Sequence, residues 1–142
     1  MTQNCRIPDE VVLVVIDDEL VLKLCERALP AHFNEIYFAL NPDEATEHLI
    51  NHRITHLVVD YDLGNDETQQ PYPDGYTLAR GWIRDYSNIK HAIIFTGEGP
   101  EYPHLFDISV IHKPIKIVDL VQAIRSPLNI VRVVLNGNKK DD

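Results

Sequence analysis

The chain has 142 residues, 44% of them hydrophobic and 25% charged, which is the composition of an ordinary globular protein and not of a disordered or fibrous one. Such a length suits one sheet with its covering helices and is expected to leave no room for a separate effector domain. Thirteen Lys and Arg against 22 Asp and Glu give a formal charge of −9, the wrong sign for a domain that gains affinity by neutralising nucleic-acid phosphates, so direct DNA binding is not expected. The longest apolar stretch, Val11 to Ile16, falls far short of the roughly 20 residues of a membrane-spanning helix, and the N-terminus lacks a basic region followed by a long apolar segment. A cytosolic protein without membrane insertion is expected. Cys5 and Cys25 are too few and too scattered for a disulfide framework or a paired zinc motif. Cys25 lies in an apolar pattern that predicts a small buried thiol.

In chain order, residues 1–10 read as an N-terminal extension. Val11 to Ile16 is an apolar, mostly β-branched run without polar alternation, which predicts a central parallel strand covered on both faces. Glu19 to Pro30 carries Val21, Leu24, Cys25 and Ala28 at helical spacing and predicts a helix with that face inward. Ile36 to Leu40 reads as a second strand. Asn41-Pro42-Asp43-Glu44 then supplies an N-cap residue, a proline at the first helical position and a glutamate at the third, so a second helix starts there. Ile54 to Val59 predicts strand three, ending at Asp60. Asp74-Gly75 opens a third helix through Leu78, Trp82 and Ile83, Ala92 to Phe95 forms strand four, Ile108 to His112 strand five, and Ile115 to Ser126 a last helix. After Pro127, Asn129 to Leu135 is apolar enough for an added strand, although it could equally continue the last helix beyond a kink.

Strands alternating with helices at these lengths imply an α/β fold: a doubly wound, five-stranded parallel sheet. In such sheets ligands bind outside the carboxyl ends of the strands. Strand one ends in Asp17-Asp18, strand three in Asp60, strand four in Thr96, and strand five in Lys113-Pro114. Carboxylates about 4 Å apart repel by roughly 4 kcal/mol per pair at an effective dielectric of about 20, so three on one rim call for a compensating cation. Magnesium suits the set because it prefers oxygen ligands and takes one or two carboxylates together with phosphate oxygens and water. Three carboxylates, a divalent ion and the Lys113 ammonium sum to zero formal charge, and a neutral site can admit a phosphoryl group. An aspartate would then act as nucleophile, with Lys113 and the Thr96 hydroxyl stabilising the phosphoryl oxygens.

On the segments Val-Val-Ile-Asp-Asp-Glu (14–19), Leu-Val-Val-Asp-Tyr-Asp-Leu (57–63), Asp-Gly-Tyr-Thr-Leu (74–78), Ile-Ile-Phe-Thr-Gly (93–97) and His-Lys-Pro (112–114), the chain resembles the receiver domain of two-component response regulators. The resemblance covers about residues 11 to 126, leaving 127–142 as a C-terminal extension. It implies a flavodoxin-like strand order, 2-1-3-4-5. It further implies Asp60 as phosphoacceptor, Asp17 and Asp18 as the metal-binding pair with the backbone carbonyl of Asp62, Thr96 as switch hydroxyl, and Lys113 as the phosphate-pairing lysine. The Lys113-Pro114 bond resembles a step that is usually cis in the family. The implied cofactor is Mg2+ or Mn2+. The implied partners are a histidine kinase or histidine phosphotransfer protein upstream and a protein target downstream. Asp62 and Glu98 lie where family residues influence hydrolysis of the phosphoryl group. Such a protein is a signalling switch and not a metabolic enzyme.

Three departures stand out. Gly75 follows Asp60 at about twice the separation usual in receivers, so an insertion within 62–73 borders the site as a lid, a partner contact or an indifferent loop. The eleven residues between Thr96 and Ile108 include Pro100 and Pro103, so the fourth helix is expected to be shortened or missing. Val110 stands where the family usually has an aromatic residue that turns inward on activation, and a valine has no ring to swing.

Two other readings compete. Asp60-Tyr61-Asp62 resembles the Asp-x-Asp motif of haloacid-dehalogenase-type phosphohydrolases, but there the acidic metal pair follows the nucleophile late in the chain, whereas Asp17-Asp18 precede it. A pseudo-receiver would keep the fold as an interaction module without phosphorylation, yet would carry the carboxylate repulsion without its offset. His48, His52 and His56 recur at intervals of four, a spacing by which two imidazoles can share a metal on a helix. Helix two should end near His52, where histidines suit the negative end of the dipole, and His56 falls in strand three.

Overall fold

The computed structural model describes residues 10–65, 68–97, 108–112 and 116–125. Its strands are β1 (Val11–Val15), β2 (Glu35–Ala39), β3 (His56–Asp60), β4 (His91–Thr96) and β5 (Ile108–His112), all parallel and ordered β2-β1-β3-β4-β5. The helices are α1 (Glu19–Ala28), followed by a 3-10 turn (Leu29–Ala31), α2 (Pro42–Asn51), α3 (Gly75–Asp85) and α4 (Ile117–Arg125). The stretch between Gly97 and Ile108, where a fourth receiver helix is expected to be shortened or missing, lies outside the described residues, as do the extensions 1–9 and 126–142.

The unbroken apolar run of β1 is explained by two separate core layers. Val11, Leu13 and Val15 face one layer with Ala45 and Leu49 of α2 and Ala79 and Trp82 of α3. Val12, Val14 and Ile16 face the other, with Leu22 and Cys25 of α1 and Leu120, Val121 and Ile124 of α4. A strand buried on both sides has no position left for a polar residue. Cys25 is buried and unpaired, and burial pushes its thiol pKa up.

Local signals set the helix starts. Asn41 Oδ1 accepts the Glu44 amide at 2.9 Å while Glu44 Oε1 accepts the Leu40 amide at 2.9 Å, so two amides at the start of α2 are satisfied reciprocally with Pro42 in the first turn. Asp74 caps α3 by accepting the Thr77 amide at 2.8 Å.

Two expectations are corrected. The inward face of α1 is Leu22 and Cys25; Val21 and Leu24 point to solvent with Leu20. The helix is apolar around most of its girth, so spacing alone did not single out a face. β3 begins at His56 and not at Ile54, because the register with β1 starts at the Val12–His56 pair; Thr55 just before it still bonds across the sheet, its amide to the Val11 carbonyl at 2.8 Å and its carbonyl to the Lys90 amide at 2.7 Å, while its Oγ1 accepts the Val11 amide at 2.9 Å.

His48 and His52 stack with each other at 5.9 Å between ring centres and with Tyr37, without forming a metal-ligand group among the described residues. His48 Nε2 lies 3.2 Å from the Phe38 carbonyl, and His52, which follows the end of α2, stacks on Tyr37 of β2 at 3.9 Å between ring centres. His56 is placed apart, opposite His91 in the β3–β4 register. At the sheet end away from the site, the Arg125 guanidinium lies 5.0 Å from the Phe33 ring centre, donates to the His32 carbonyl and sits 3.6 Å from the buried Glu10.

Burial, with the nearby His91 and Lys90, lowers the His56 pKa from 6.5 to about 4. The folded state therefore holds His56 neutral where the unfolded chain would protonate it. The stability so gained is fully present above pH 6.5 and is lost as pH falls through that value towards about 4. His56→Val is expected to remove about 3 kcal/mol of acid-side slope from the wild-type stability profile, read by urea unfolding across that window. Parallel profiles for the two proteins would contradict this.

Candidate functional site

The sheet changes winding direction between β1 and β3, with β2 and α1 on one side of that point and α2 crossing on the other face. Such a switch point leaves a crevice outside the strand ends. Asp17 and Asp18 follow β1 after Ile16, Asp60 is the last residue of β3, and Thr96 is the last residue of β4. Val15 pairs with Val59 and Asp60 with Phe95, so the ends of β1, β3 and β4 stand side by side at the roughly 4.8 Å strand spacing. The Tyr61 amide donates to the Phe95 carbonyl at 2.7 Å and carries the ladder one step past Asp60. Asp60 and Thr96 are 5% and 2% exposed, whereas Asp17 and Asp18 stand open to solvent.

Partial removal from water, then the negative charges of Asp60, Asp62 and Asp18 in that order, raise the Asp17 pKa. The carboxylates of Asp60, Asp62 and Asp18 thus act electrostatically on Asp17. Among the described residues no three His, Cys, Asp or Glu side chains converge as a ready-made metal cage. An oxygen-only rim completed by water and a backbone carbonyl suits magnesium, which dehydrates reluctantly, better than it suits zinc. Asp17 and Asp60, with Asp18 and the Asp62 carbonyl, are thus the residues that could hold such an ion. Lys113 and Glu98 lie outside the described residues.

Asp18 has a second role that the motif alone does not reveal. Its Oδ1 accepts the amides of Leu20 at 2.9 Å and Val21 at 3.3 Å and so caps α1. Gly75 is equally constrained. Its amide donates to the Tyr61 carbonyl at 2.8 Å, and a Cβ there would overlap the Asp60 carbonyl oxygen, so the start of α3 rests directly on the backbone of Asp60.

The described residues of the insertion touch the rim. Asn65 and Pro71 form an antiparallel bridge, the Tyr72 amide donates to the Gly64 carbonyl at 3.0 Å, and the Tyr72 hydroxyl donates to Asp43 of α2 at 2.9 Å. Gly64, at φ +72°, lies against the Asp17 carboxylate. Asn65 and Tyr72 border an acidic cleft of about 480 Å³ whose wall also includes Asp17, Asp43 and Glu47. Sequence reasoning flagged the insertion but missed Tyr72, Asp43 and Gly64. The one available signal was a glycine two residues after Asp62.

The fold is that of response regulator receiver domains. A receiver domain protein from Methanospirillum hungatei JF-1 superposes with a TM-score of 0.64 at 20% identity, over 84% of this chain and 94% of that one. A receiver protein from Sinorhizobium medicae WSM419 gives 0.64 at 22% identity over 85% and 96%. A response regulator from Burkholderia pseudomallei, solved with a phosphorylated aspartic acid, calcium ion and citrate, gives 0.66 at 20% identity over 94% and 76%. No family model matches the sequence, and no curated protein matches it.

Substitutions at two positions probe these contacts. Asp18→Asn keeps the capping oxygen and is expected to leave the urea midpoint nearly unchanged, while Asp18→Ala costs about 1 kcal/mol. Gly75→Ala is expected to cost about 1–3 kcal/mol by forcing α3 away from Asp60, read by thermal unfolding. A fully stable Gly75→Ala protein would mean that this approach is not tight.

Proposed function

We propose that the chain is a response regulator receiver in which Asp60 accepts a phosphoryl group from the phosphohistidine of a histidine kinase or histidine phosphotransfer protein, in a magnesium-dependent reaction that switches a protein–protein contact. The observation that carries this reading is the placement of Asp17, Asp18 and Asp60 at the neighbouring ends of β1 and β3, at the switch point of the sheet, with Thr96 on the adjoining strand end. It is strengthened by the Burkholderia pseudomallei neighbour, whose structure contains a phosphorylated aspartic acid and a calcium ion.

In this reading an Asp60 carboxylate oxygen attacks the phosphorus in line with the donor imidazole. The new O–P bond forms as the N–P bond breaks, and the imidazole leaves with that electron pair. A bound magnesium ion supplies positive charge to the carboxylates and phosphoryl oxygens. The Thr96 hydroxyl donates a hydrogen bond to one phosphoryl oxygen and the Lys113 ammonium pairs with another. Water later hydrolyses the acyl phosphate, and Asp62 and Glu98 influence its lifetime. Chemistry of this kind makes the protein a self-modifying switch and not a turnover enzyme.

The donor has a place to dock. Leu20 and Leu24 on α1 are 75% and 61% exposed, beginning two residues after Asp18, and offer an apolar face next to the rim for a helical partner. Val110 is buried on β5, without an aromatic ring, so the response to phosphorylation runs through other side chains than in most receivers.

Acetyl phosphate with Mg2+ is expected to add the mass of one phosphoryl group to the wild type and none to Asp60→Ala or to protein in EDTA. Decay of that species should change in Asp62→Asn and Glu98→Gln. No Asp60-dependent gain would leave the chain as a pseudo-receiver that uses the fold for binding only.

A further inference from the structure

We infer that Tyr72 and Gly64 are positioning residues for Asp17: the Tyr72 hydroxyl fastens the 62–73 insertion to Asp43, and the fastened insertion holds Gly64 against the Asp17 carboxylate. The inference rests on the reading of Asp17 as a cation-binding residue and adds the device that orients it.

Three hydrogen bonds and a short bridge link α2 to the rim. Tyr72 Oη donates to Asp43 Oδ2 at 2.9 Å, in the first turn of α2. The Tyr72 amide donates to the Gly64 carbonyl at 3.0 Å, next to the Asn65–Pro71 bridge, so that residues 64–65 and 71–72 are tied to each other. The Gly64 amide donates to Asp62 Oδ1 at 3.2 Å. A Cβ built on Gly64 would stand 3.1 Å from Asp17 Oδ2, closer than most real Cβ contacts, so a side chain there would press on the Asp17 carboxylate, and the φ of +72° favours glycine independently.

The need for such a device follows from charge. Asp17 is repelled by Asp60, Asp62 and Asp18 and is open to solvent, so an unsupported side chain would swing outward and would have to be reordered whenever a cation bound. The Gly64 backbone closes that route on one side. A carboxylate already held near its binding position avoids part of the ordering cost, which appears as affinity. Tyr72 acts at one remove, through the hairpin, and Asp43 serves as the anchor.

The experiment measures Mn2+ affinity by electron paramagnetic resonance and Tyr72 amide exchange by mass spectrometry, neither of which needs phosphorylation. Tyr72→Phe is expected to weaken Mn2+ binding roughly threefold to tenfold, the span of one net hydrogen bond, and to speed exchange of the Tyr72 amide. Asp43→Asn and Asp43→Ala both remove a charge, but only the amide can still accept from the hydroxyl. Asp43→Ala should therefore bind Mn2+ more weakly than Asp43→Asn, and that difference should vanish when Tyr72 is also phenylalanine. Equal affinities for the two Asp43 variants would overturn the inference. So would a Tyr72→Phe protein with faster amide exchange and wild-type Mn2+ affinity. A wild type that binds no Mn2+ would overturn the reading of Asp17 as a cation ligand and this inference with it, whereas failure of the latch alone shows only in the variants.

Discussion

Val15 stands opposite Val59 in the parallel ladder between β1 and β3, and that register determines how close the acidic pair after β1 comes to the aspartate that closes β3. Slipping either strand by two residues would keep every apolar side chain facing its own layer but would carry the carboxylates apart by about 7 Å. The convergence is thus a property of pairing register, held by the two apolar layers that clamp β1 from both sides. Asp17 feels the charges of Asp60, Asp62 and Asp18 at a rim whose strands are buried on both faces behind it.

Much of the fold was legible in the sequence wherever a local signal and a tertiary demand agreed. The β-branched run of β1 needed cover on both faces and has it. Asn41-Pro42-Asp43-Glu44 contains its own hydrogen-bonding instructions, and α2 starts where they say. The inward face of α1 was not legible, because Leu20, Val21, Leu22, Leu24 and Cys25 surround most of the helix and only packing against α4 and the sheet decides which are covered. The start of β3 was missed for a different reason. Ile54 and Thr55 have strand-forming side chains, and Thr55 bonds the Val11 backbone through both its amide and its hydroxyl, but the ladder register starts only at His56, a boundary set by its partner Val12, 44 positions away.

The candidate site divides along the same line. Asp17, Asp18, Asp60 and Thr96 could be placed on one rim because strand-end position is a topological property, and topology follows from element order. The cap that Asp18 makes, the seat that Gly75 takes on the Asp60 carbonyl, and the bond between Tyr72 and Asp43 are contacts of geometry. No periodicity encodes a hydroxyl meeting a carboxylate 29 residues away across the surface.

The cap at the start of α1 has an evolutionary corollary. One carboxyl group closes the helix and contributes charge to the rim, so the two properties cannot drift separately at residue 18. If only the helix mattered, Asn, Ser and Thr would serve there about as well as Asp. If the rim charge also matters, that tolerance collapses to the acidic residue alone. The range of side chains that related chains accept at this position is therefore a record of whether their rims still carry a cation, legible without measuring either one.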